Sequence, residues 1–386
     1  MREALELARR GAGTASPNPM VGAVVVAASR VVGRGYHARP GLAHAEVLAL
    51  DEAGAAARGA TLYVTLEPCA HVGRTPPCTE AIIGRGIRRV VAAMEDPDPQ
   101  VRGRGCRCLT AAGVEVSVGT AAEGARRLNE AYVKHRTTGL PFVTAKWAMS
   151  LDGRIATRSG DARWISGPAS RALVHELRAA SDAVLVGIGT VLSDDPQLTV
   201  RDLPGHHQVT RQPARVVLDS TLRIPPAARV LARDGAPVTV ATTSRARPER
   251  RQAIEALGAD VIVADGPDGR VDLRTLCEAL GRRGVMSLLV EGGGAVHGAF
   301  MDAGRVDKVL AFLAPVILGG PAPGPVGGAG VERLAQAWRL TRMVIRQVEQ
   351  DYVIEGYIDA GAQATLWPAG DRAATEAEGT ACSPAS

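Results

Sequence analysis

Residues 61–78 read TLYVTLEPCAHVGRTPPC. The alternation of side chains over 61–66 predicts a strand, and Cys69 follows shortly after it. Eight residues, among them Gly and Pro, separate Cys69 from Cys78. The whole chain has 6 cysteines among 386 residues. At such irregular spacing, clustered cysteines more often bind a metal or do chemistry than form a disulfide framework. The pair therefore needs a third partner.

That partner lies upstream, in the stretch GLAHAEVLAL at 41–50. His44 and Glu46 open a predicted helix, so both side chains can point into a site. With Cys69 and Cys78, His44 completes a His-Cys-Cys set, which leaves the fourth tetrahedral position of Zn²⁺ open to water. Zinc lowers the pKa of such a water toward about 7, and Glu46 can then carry protons to a substrate. The zinc deaminase signature H-x-E followed by P-C-x-x-C has the same parts, with a shorter second gap.

Two other interpretations of these residues stay open. The cysteines could be buried core residues, or the zinc could be structural, in which case His71 is the nearest candidate for a fourth ligand. Cys106 and Cys108 form a C-x-C in a predicted helix, and we interpret them as packing residues rather than ligands.

Composition bounds the class of protein. A chain of 386 residues predicts two domains. Hydrophobic content of 46% and charged content of 22% are typical of a soluble enzyme, and no apolar run reaches the roughly 18 residues of a membrane span. The amphipathic N-terminus MREALELARRGAG does not resemble a signal peptide, so we expect a cytoplasmic protein without a membrane partner. Basic residues are dispersed and aromatic residues make up only 3%, which argues against a nucleic-acid partner.

The order of predicted elements indicates α/β architecture in both domains. The first domain, 1–140, has predicted helices at 2–11, from 44 to about 58 and over 121–139, with strands at 21–27, 31–37, 61–66 and 88–94. Proline at position 141 marks the boundary. In the second domain, 141–360, a new series of elements begins at 141–153, and the predicted strands are at 182–187, 214–220, 237–243, 259–265, 287–293 and 308–318. Residues 361–386 are small, polar and aperiodic, which predicts a disordered tail that includes Cys382.

Three segments carry a family resemblance: TASPNPMVGAVVV at 14–26, HAE at 44–46 and the stretch 61–78. Together they resemble the RibD family of bacterial bifunctional riboflavin biosynthesis proteins, in which a pyrimidine deaminase is joined to a reductase. The eight-residue gap between the cysteines matches this family. AKWAMSLDGRIA, RWIS, VGIGTVLSDDPQLTVR, RVVLDS and LVEGGG resemble its reductase domain. The resemblance implies a cytidine deaminase-like α/β/α domain followed by a dihydrofolate reductase-like α/β domain.

For the first domain, the resemblance implies zinc-dependent hydrolytic deamination of 2,5-diamino-6-(5-phosphoribosylamino)pyrimidin-4(3H)-one, with Glu46 as the catalytic proton carrier. Asn18 and His71 match substrate-binding positions, and residues 73–75 match a substrate-side turn. Asp98 stands where the family usually has Asn, which leaves the contact at that position open.

For the second domain, the resemblance implies NADPH-dependent reduction of the ribosyl group to ribityl, giving 5-amino-6-(5-phosphoribitylamino)uracil. Lys146 and Asp194 match positions that aid the reduction. The Gly run after the strand at 287–290 places backbone amides at a helix start, where they can bind an anion. Positions matching the cofactor site are Ala148, Trp164, Thr190, Asp194, Ser220, Gly293, Gly294, Ala295, Val296, His297, Gly298 and Ala299.

Positions matching the substrate site of the reductase are Arg178, Leu198, Arg201 and Glu291. The two arginines can bind the oxygens of a phosphate as planar forks. Ala162 stands where the family usually has a serine that contacts the substrate. Family members commonly assemble through the reductase domain, so a homo-oligomer is expected.

Two rival functions of a different class remain. A nucleic-acid base deaminase shares the His-x-Glu and Pro-Cys elements, but the dispersed charge, the sparse aromatic residues and the second domain argue against it. A catalytically inactive zinc-binding regulator would have no use for Glu46.

Overall fold

The structure is a computed structural model that describes residues 1–71, 76–201, 203 and 211–359. The described residues divide into two compact units between Thr138 and Gly139. The turn at 73–75 and the tail at 361–386 lie outside the described residues.

Unit 1 is built on a 5-stranded sheet with strand order β2-β1-β3-β4-β5. Its strands are β1 Gly22–Ala27, β2 Arg30–Tyr36, β3 Thr61–Val64, β4 Arg89–Ala92 and β5 Glu115–Val118. Its helices are α1 Arg2–Arg9, α2 Ala45–Ala53, α3 Cys78–Gly84, α4 Arg104–Ala111, α5 Ala122–Leu128 and α6 Glu130–Thr138. Strand β1 is antiparallel to β2 and β3, whereas β3, β4 and β5 are parallel. The carboxyl ends of β3 and β4 therefore meet at one edge of the sheet.

Helix α2 lies directly on strand β2. A side chain at Gly35 would place its Cβ 2.1 Å from the carbonyl oxygen of Ala45, so only glycine permits this approach. Ala45, Ala49 and Leu50 of α2 are buried in the core of unit 1. This close packing fixes the first turn of α2, which carries Glu46.

The helix predicted over 121–139 is two helices, and the prediction of one continuous helix was wrong. Asn129 separates α5 from α6 and is buried. Its side-chain oxygen accepts the N–H of Met20 at 2.8 Å, and its side-chain nitrogen donates to the carbonyl of Met20 at 2.9 Å. The backbone of Asn129, at φ −108° and ψ 25°, leaves the helical conformation at this point and separates the two helices.

Unit 2 is built on a 9-stranded sheet with strand order β10-β9-β8-β7-β11-β6-β12-β14-β13. Its strands are β6 Phe142–Met149, β7 Ala183–Gly187, β8 Ala214–Leu218, β9 Val238–Thr242, β10 Asp260–Val263, β11 Ser287–Gly292, β12 Lys308–Leu313, β13 Leu340–Val348 and β14 Asp351–Ile358. Its helices are α7 Pro168–Ala180, α8 Ile188–Asp194, α9 Pro248–Ala256, α10 Leu273–Arg282 and α11 Gly294–Asp302. Neighbouring strands from β10 to β12 in this order are parallel, and β14 and β13 add an antiparallel hairpin.

Parallel strands have their carboxyl ends at one edge of the sheet, where open α/β sheets bind ligands. In unit 2 that edge carries the residues after β7, β8 and β11. Within the described ranges, no helix is long and apolar enough to cross a membrane.

Candidate active sites

His44, Cys69 and Cys78 come together in unit 1. The Nδ1 atom of His44 lies 3.1 Å from the Sγ atom of Cys78 and 3.6 Å from the Sγ atom of Cys69. All three ligand atoms lie within 4.8 Å of one another. The ligand atoms of a tetrahedral zinc site with such donors are roughly 3.5–3.8 Å apart, given Zn–N and Zn–S bonds of about 2.0–2.3 Å. The donor set and its spacing therefore fit zinc with one position left open.

Local structure prepares Cys69 to be a thiolate. The backbone N–H of Cys78, the first residue of α3, donates to the Sγ atom of Cys69 at 3.3 Å. The hydrogen bond from the Cys78 thiol, together with the nearby His44, lowers the pKa of Cys69 although burial opposes this. A thiolate is the form in which cysteine binds a metal.

Glu46 lies in the same cavity as His44 and Cys69. Its side chain is buried, and burial together with the neighbouring Cys69 raises the pKa of Glu46 to about 7. A carboxyl group whose pKa lies near the working pH can both accept and donate a proton, which is what a proton carrier must do.

This cavity has a volume of about 450 Å³ and is lined by residues from several elements of unit 1. Asn18 and His71, the two residues predicted to bind the substrate, both line this cavity. The Nδ2 atom of Asn18 lies 2.9 Å from Nε2 of His37, whose Nδ1 lies 3.3 Å from the carbonyl of Ala43. Burial lowers the pKa of His37, so the ring is neutral, donates to Ala43 and accepts from Asn18. The amide of Asn18 is thereby oriented.

Glu67 is a residue whose role the sequence did not reveal. It is buried, and its carboxylate accepts three backbone N–H groups: Gly103 at 2.8 Å, Asp96 at 3.1 Å and Cys106 at 3.1 Å. Glu67 thus ties the segment that carries Cys69 to the start of α4 and to the loop after β4. The sequence shows Glu67 two residues before Cys69, but it does not show that three backbone groups 29 to 39 positions away donate to its carboxylate.

The C-x-C pair lies on α4, apart from the metal-ligand group. Cys106 is half-buried, and burial first, then the nearby Glu67, raises the pKa of its thiol to about 12. Cys108 is exposed, so the interpretation of both residues as packing residues was wrong for Cys108.

Unit 2 contains a second cavity, of about 570 Å³. Nine residues singled out from the sequence line it: Lys146, Ala148, Trp164, Arg178, Thr190, Asp194, Leu198, Arg201 and Glu291. Ala162 lines it as well. The structure thus gathers residues from β6, α7, α8 and β11 around one space.

Glu291 is held by two cations in this cavity. Its carboxylate accepts two hydrogen bonds from Arg178, at 2.6 and 2.9 Å, and lies 4.0 Å from the Nζ atom of Lys146. Burial acts to raise the pKa of Glu291, but Arg178 and Lys146 outweigh it and lower the pKa to about 2. Burial also lowers the pKa of Lys146. The remaining bond from Arg178 goes to the carbonyl of Thr199 at 3.1 Å, so this guanidinium is largely occupied.

Seven predicted cofactor residues form the start of α11. The N–H of Gly293 donates to the Oγ1 atom of Thr190 at 3.0 Å, which links this turn to the cavity. Ala295 is exposed, whereas His297 is buried, with its ring nitrogens 2.9 and 3.2 Å from the carbonyls of Pro325 and Val290. A cofactor phosphate could therefore reach the backbone of Gly293, Gly294 and Ala295, while Val296, Gly298 and Ala299 pack within the unit. Ser220 follows β8, where its carbonyl accepts from the hydroxyl of Thr243 at 2.7 Å.

Comparison with known proteins agrees with both units. Residues 1–94 match the cytidine and deoxycytidylate deaminase zinc-binding region, and residues 141–354 match the RibD C-terminal domain. The riboflavin biosynthesis protein RibD of Aquifex aeolicus is 42% identical over 92% of this chain and 96% of its own length. The protein of the same name from Escherichia coli is 43% identical over 91% of this chain and 96% of its own length.

Solved structures show the same likeness. Acinetobacter baumannii RibD is 39% identical, with a TM-score of 0.84 over 93% of this chain and 98% of that one. The diaminohydroxyphosphoribosylaminopyrimidine deaminase/5-amino-6-(5-phosphoribosylamino)uracil reductase of Thermotoga maritima is 36% identical, with a TM-score of 0.80 over 93% of this chain and 97% of that one.

Fold and site together define an enzyme of two units: a deaminase with the zinc-binding region of the cytidine and deoxycytidylate deaminases, joined to a RibD-type C-terminal domain. The chain belongs to the RibD family and is a bifunctional deaminase and reductase of riboflavin biosynthesis. The resemblance inferred from the sequence is confirmed, and the nucleic-acid deaminase and the inactive regulator are not favoured.

Proposed function

We propose that unit 1 deaminates 2,5-diamino-6-(5-phosphoribosylamino)pyrimidin-4(3H)-one and that unit 2 reduces the product with NADPH to 5-amino-6-(5-phosphoribitylamino)uracil. The single observation that carries the proposal is the grouping of His44, Cys69 and Cys78 with the buried Glu46 in one cavity. A small phosphorylated pyrimidine is then the partner of both units, in the cytoplasm.

In the deaminase reaction, a bond forms between water oxygen and the ring carbon while the bond to the exocyclic nitrogen breaks. His44, Cys69 and Cys78 would hold zinc, which when bound makes water nucleophilic at neutral pH. Glu46 takes a proton from the attacking water and passes it to the leaving nitrogen, which departs as ammonia. Asn18, oriented by His37, binds the pyrimidine ring through its carboxamide oxygen, and His71, which lines the same cavity, also contacts the substrate.

In the reductase reaction, NADPH when bound supplies a hydride to C1′ of the ribosyl group, and the C1′–O bond of the ring breaks. The ring oxygen then needs a proton. Lys146 can supply it, because burial lowers its pKa and it lines the cavity with Asp194. The backbone of Gly293, Gly294 and Ala295 at the start of α11 binds the cofactor phosphates, with the remaining cofactor contacts as predicted.

Arg178 and Arg201 are the two arginines predicted to contact the substrate, and Arg201 has the side chain with fewer contacts. Its guanidinium donates to the side chain of Gln197 at 3.0 Å and is exposed, whereas Arg178 is held by Glu291. We assign the phosphate in the reductase cavity to Arg201, with Arg178 placing Glu291 and Leu198 lining the cavity beside them.

The test follows the two reactions separately. The full chain, loaded with zinc, is incubated with the diaminopyrimidine substrate. Ammonia release is measured with and without NADPH, and NADPH oxidation is measured in the samples that contain it. Ammonia should form without NADPH, and NADPH should be oxidised only after deamination. A Glu46→Gln variant should release no ammonia but should still oxidise NADPH when it is given the deaminated compound directly. Absence of ammonia from the wild-type chain would overturn the deaminase assignment, and absence of NADPH oxidation with the deaminated compound would overturn the reductase assignment.

We further propose self-association through unit 2. Strand β13 is the last strand of the sheet, and its side chains include the exposed Met343, Val344 and Ile345. An exposed, apolar edge strand tends to pair with another chain. Ile345, at 62% exposure, is the residue to change. Light scattering should show a dimer or larger assembly that Ile345→Asp reduces to a monomer, while Leu192→Asp, at a 50% exposed apolar residue on α8, should not.

A further inference from the structure

The segment 198–201 lies at the reductase cavity, which Leu198 and Arg201 line. None of its residues belongs to a helix or strand of unit 2. The side chains of Leu198 and Val200 are each 3% exposed, whereas Arg201 is exposed. Because no neighbouring strand pairs with this segment, its buried backbone groups need hydrogen-bond partners from elsewhere.

Gln212 gives Val200 the pair of hydrogen bonds that a neighbouring strand would give. The Oε1 atom of Gln212 accepts the N–H of Val200 at 2.7 Å, and its Nε2 atom donates to the carbonyl of Val200 at 3.1 Å. A side-chain amide can form both bonds because it carries an acceptor and a donor side by side. The amide of Gln212 therefore takes the place of a strand beside this segment.

Two side chains of α7 hold the residues on either side of Val200. The Nη1 atom of Arg178 donates to the carbonyl of Thr199 at 3.1 Å, and the N–H of Arg201 donates to Nδ1 of His175 at 3.2 Å. His175 and Arg178 are three positions apart, so they lie on the same face of α7. From the carbonyl of Thr199 to the N–H of Arg201, each backbone N–H and carbonyl is thus bonded to a side chain.

Gln212 is itself anchored to the sheet, because it lies two residues before β8. The side chain of its neighbour Arg211 donates to the carboxylate of Asp182 at 2.9 Å, and the N–H of Ala214 donates to the carbonyl of Asp182 at 2.9 Å. Asp182 is buried directly before β7. Gln212 therefore fixes the segment 198–201 relative to the sheet.

Gln212 differs from the two residues of α7 in its relation to the cavity. Arg178 and His175 line it, so a change at either alters the cavity wall directly. Gln212 is not among the described residues that line the cavity. A change at Gln212 therefore affects the substrate through the segment 198–201.

We propose that Gln212 is a positioning residue of the reductase: it holds Val200 so that the neighbouring Arg201 faces the phosphate of the substrate. The inference rests on the proposed function, which assigns this phosphate to Arg201. It adds a residue outside the cavity on which binding of the substrate depends. Binding of NADPH should not depend on it, because the predicted phosphate contacts of the cofactor lie at the start of α11.

The test measures NADPH oxidation by the full chain with the deaminated compound. Gln212→Met keeps the length of the side chain and removes both hydrogen bonds. It should raise KM for the deaminated compound about three- to tenfold, less than the full cost of two hydrogen bonds, because Arg178 and His175 still hold the segment. The kcat and the KM for NADPH should change little, since a contact made equally in the ground and transition states acts on KM.

Two further variants examine the route from Gln212 to the substrate. Gln212→Glu keeps an acceptor for the N–H of Val200 and should recover part of the loss. In an Arg201→Met background, Gln212→Met should add little to the rise in KM, because residues that act through one contact are not additive. Hydrogen exchange at the Val200 amide should be faster in Gln212→Met than in the wild type.

The matched control is Gln336→Met. The Oε1 atom of Gln336 accepts the N–H of Arg333 at 3.0 Å, and Gln336 is not among the described residues that line the cavity. This variant should leave both KM values unchanged.

An unchanged KM for the deaminated compound in Gln212→Met would overturn the proposal, whatever the exchange rate at the Val200 amide. Equal rises in KM for this compound and for NADPH would also overturn it, because they indicate a general loosening of unit 2. A full additional rise in the Arg201→Met background would exclude action through Arg201. A wild-type chain that does not oxidise NADPH with the deaminated compound would instead overturn the reductase function itself.

Discussion

Asn129 and Met20 form a pair of hydrogen bonds that joins two segments far apart in sequence. The amide of Asn129 accepts the N–H of Met20 at 2.8 Å and donates to its carbonyl at 2.9 Å. Met20 follows the loop that carries Asn18, a lining residue of the deaminase cavity. The break between α5 and α6 therefore positions a wall of the active site.

Changing Asn129 to Ala should disturb both stability and the deaminase site. It leaves two partly buried backbone groups of Met20 without these partners, and the loss of such a partner costs up to about 1–3 kcal/mol when the group is shielded from water. We expect faster hydrogen exchange at the Met20 amide, a lower first unfolding transition in calorimetry and a higher KM in ammonia release. Asn129→Asp keeps the acceptor for the Met20 N–H, so protection of that amide should survive better than in the Ala variant. Unchanged exchange in both variants would contradict the positioning role.

Changing Glu46 to Gln should separate metal binding from proton transfer. Zinc should stay bound, because Glu46 is not among the candidate ligands His44, Cys69 and Cys78. Loss of a positioned proton carrier costs about 10²–10⁴-fold in rate, so ammonia release should fall by that factor. Metal analysis and ammonia release on the same sample check this. Retained deamination would remove Glu46 from its assigned role.

Changing Glu67 to Gln should weaken zinc binding without touching a ligand. A glutamine presents an N–H₂ group to backbone N–H donors, so it cannot accept all three hydrogen bonds that Glu67 accepts now. Partners that orient metal ligands typically affect metal affinity about 10–100-fold. Competition with a chelator measures this directly. Glu95→Gln, at an exposed carboxylate, is the control and should leave zinc affinity unchanged.

The paired carboxylate of Glu291 should make unit 2 sensitive to acid. Its pKa is lowered from 4.5 to about 2, so the folded unit binds fewer protons than the unfolded chain between these values. The contribution of Glu291 to the free energy of unfolding is present above pH 4.5 and is lost as pH falls toward 2. This lowering of the pKa corresponds to a contribution on the order of 3 kcal/mol.

Unfolding of unit 2, followed by hydrogen exchange in β11 over this pH range, should show a steeper loss in the wild type than in Glu291→Gln. The variant should be less stable at neutral pH because Arg178 loses its partner. Parallel pH profiles for the two proteins would show that Glu291 is not the group responsible.

Changing Ala162 to Ser should improve the reductase. Ala162 lines the cavity of unit 2, at a position where the family usually has a serine that contacts the substrate. One added hydrogen bond is worth about 1 kcal/mol, which lowers KM several-fold. Steady-state NADPH oxidation with the deaminated substrate measures the change. Ala162→Val, which adds size without a hydroxyl, should not lower KM.

The sequence located most strands and the glycine-rich start of α11, because these depend on local alternation and on glycine next to a strand. It did not predict the hairpin of β13 and β14 or the short strand β5. In β13 all side chains from Met343 to Gln347 are exposed, so the alternation of buried and exposed residues that identifies a strand is absent there. The break at Asn129 was also missed, because its partner Met20 is 109 positions away.

By itself the sequence determined the candidate chemistry: His44, Glu46, Cys69 and Cys78 are residue types whose identity and spacing restrict the metal and the reaction that we propose. Only the tertiary structure decided which other groups line the same cavity and which groups hold them there. Glu67 and His37 acquire their roles through hydrogen bonds to residues 6 to 39 positions away, and these bonds form only when the sheet and helices are packed. Residue type limits what a site can do, whereas packing decides which residues take part.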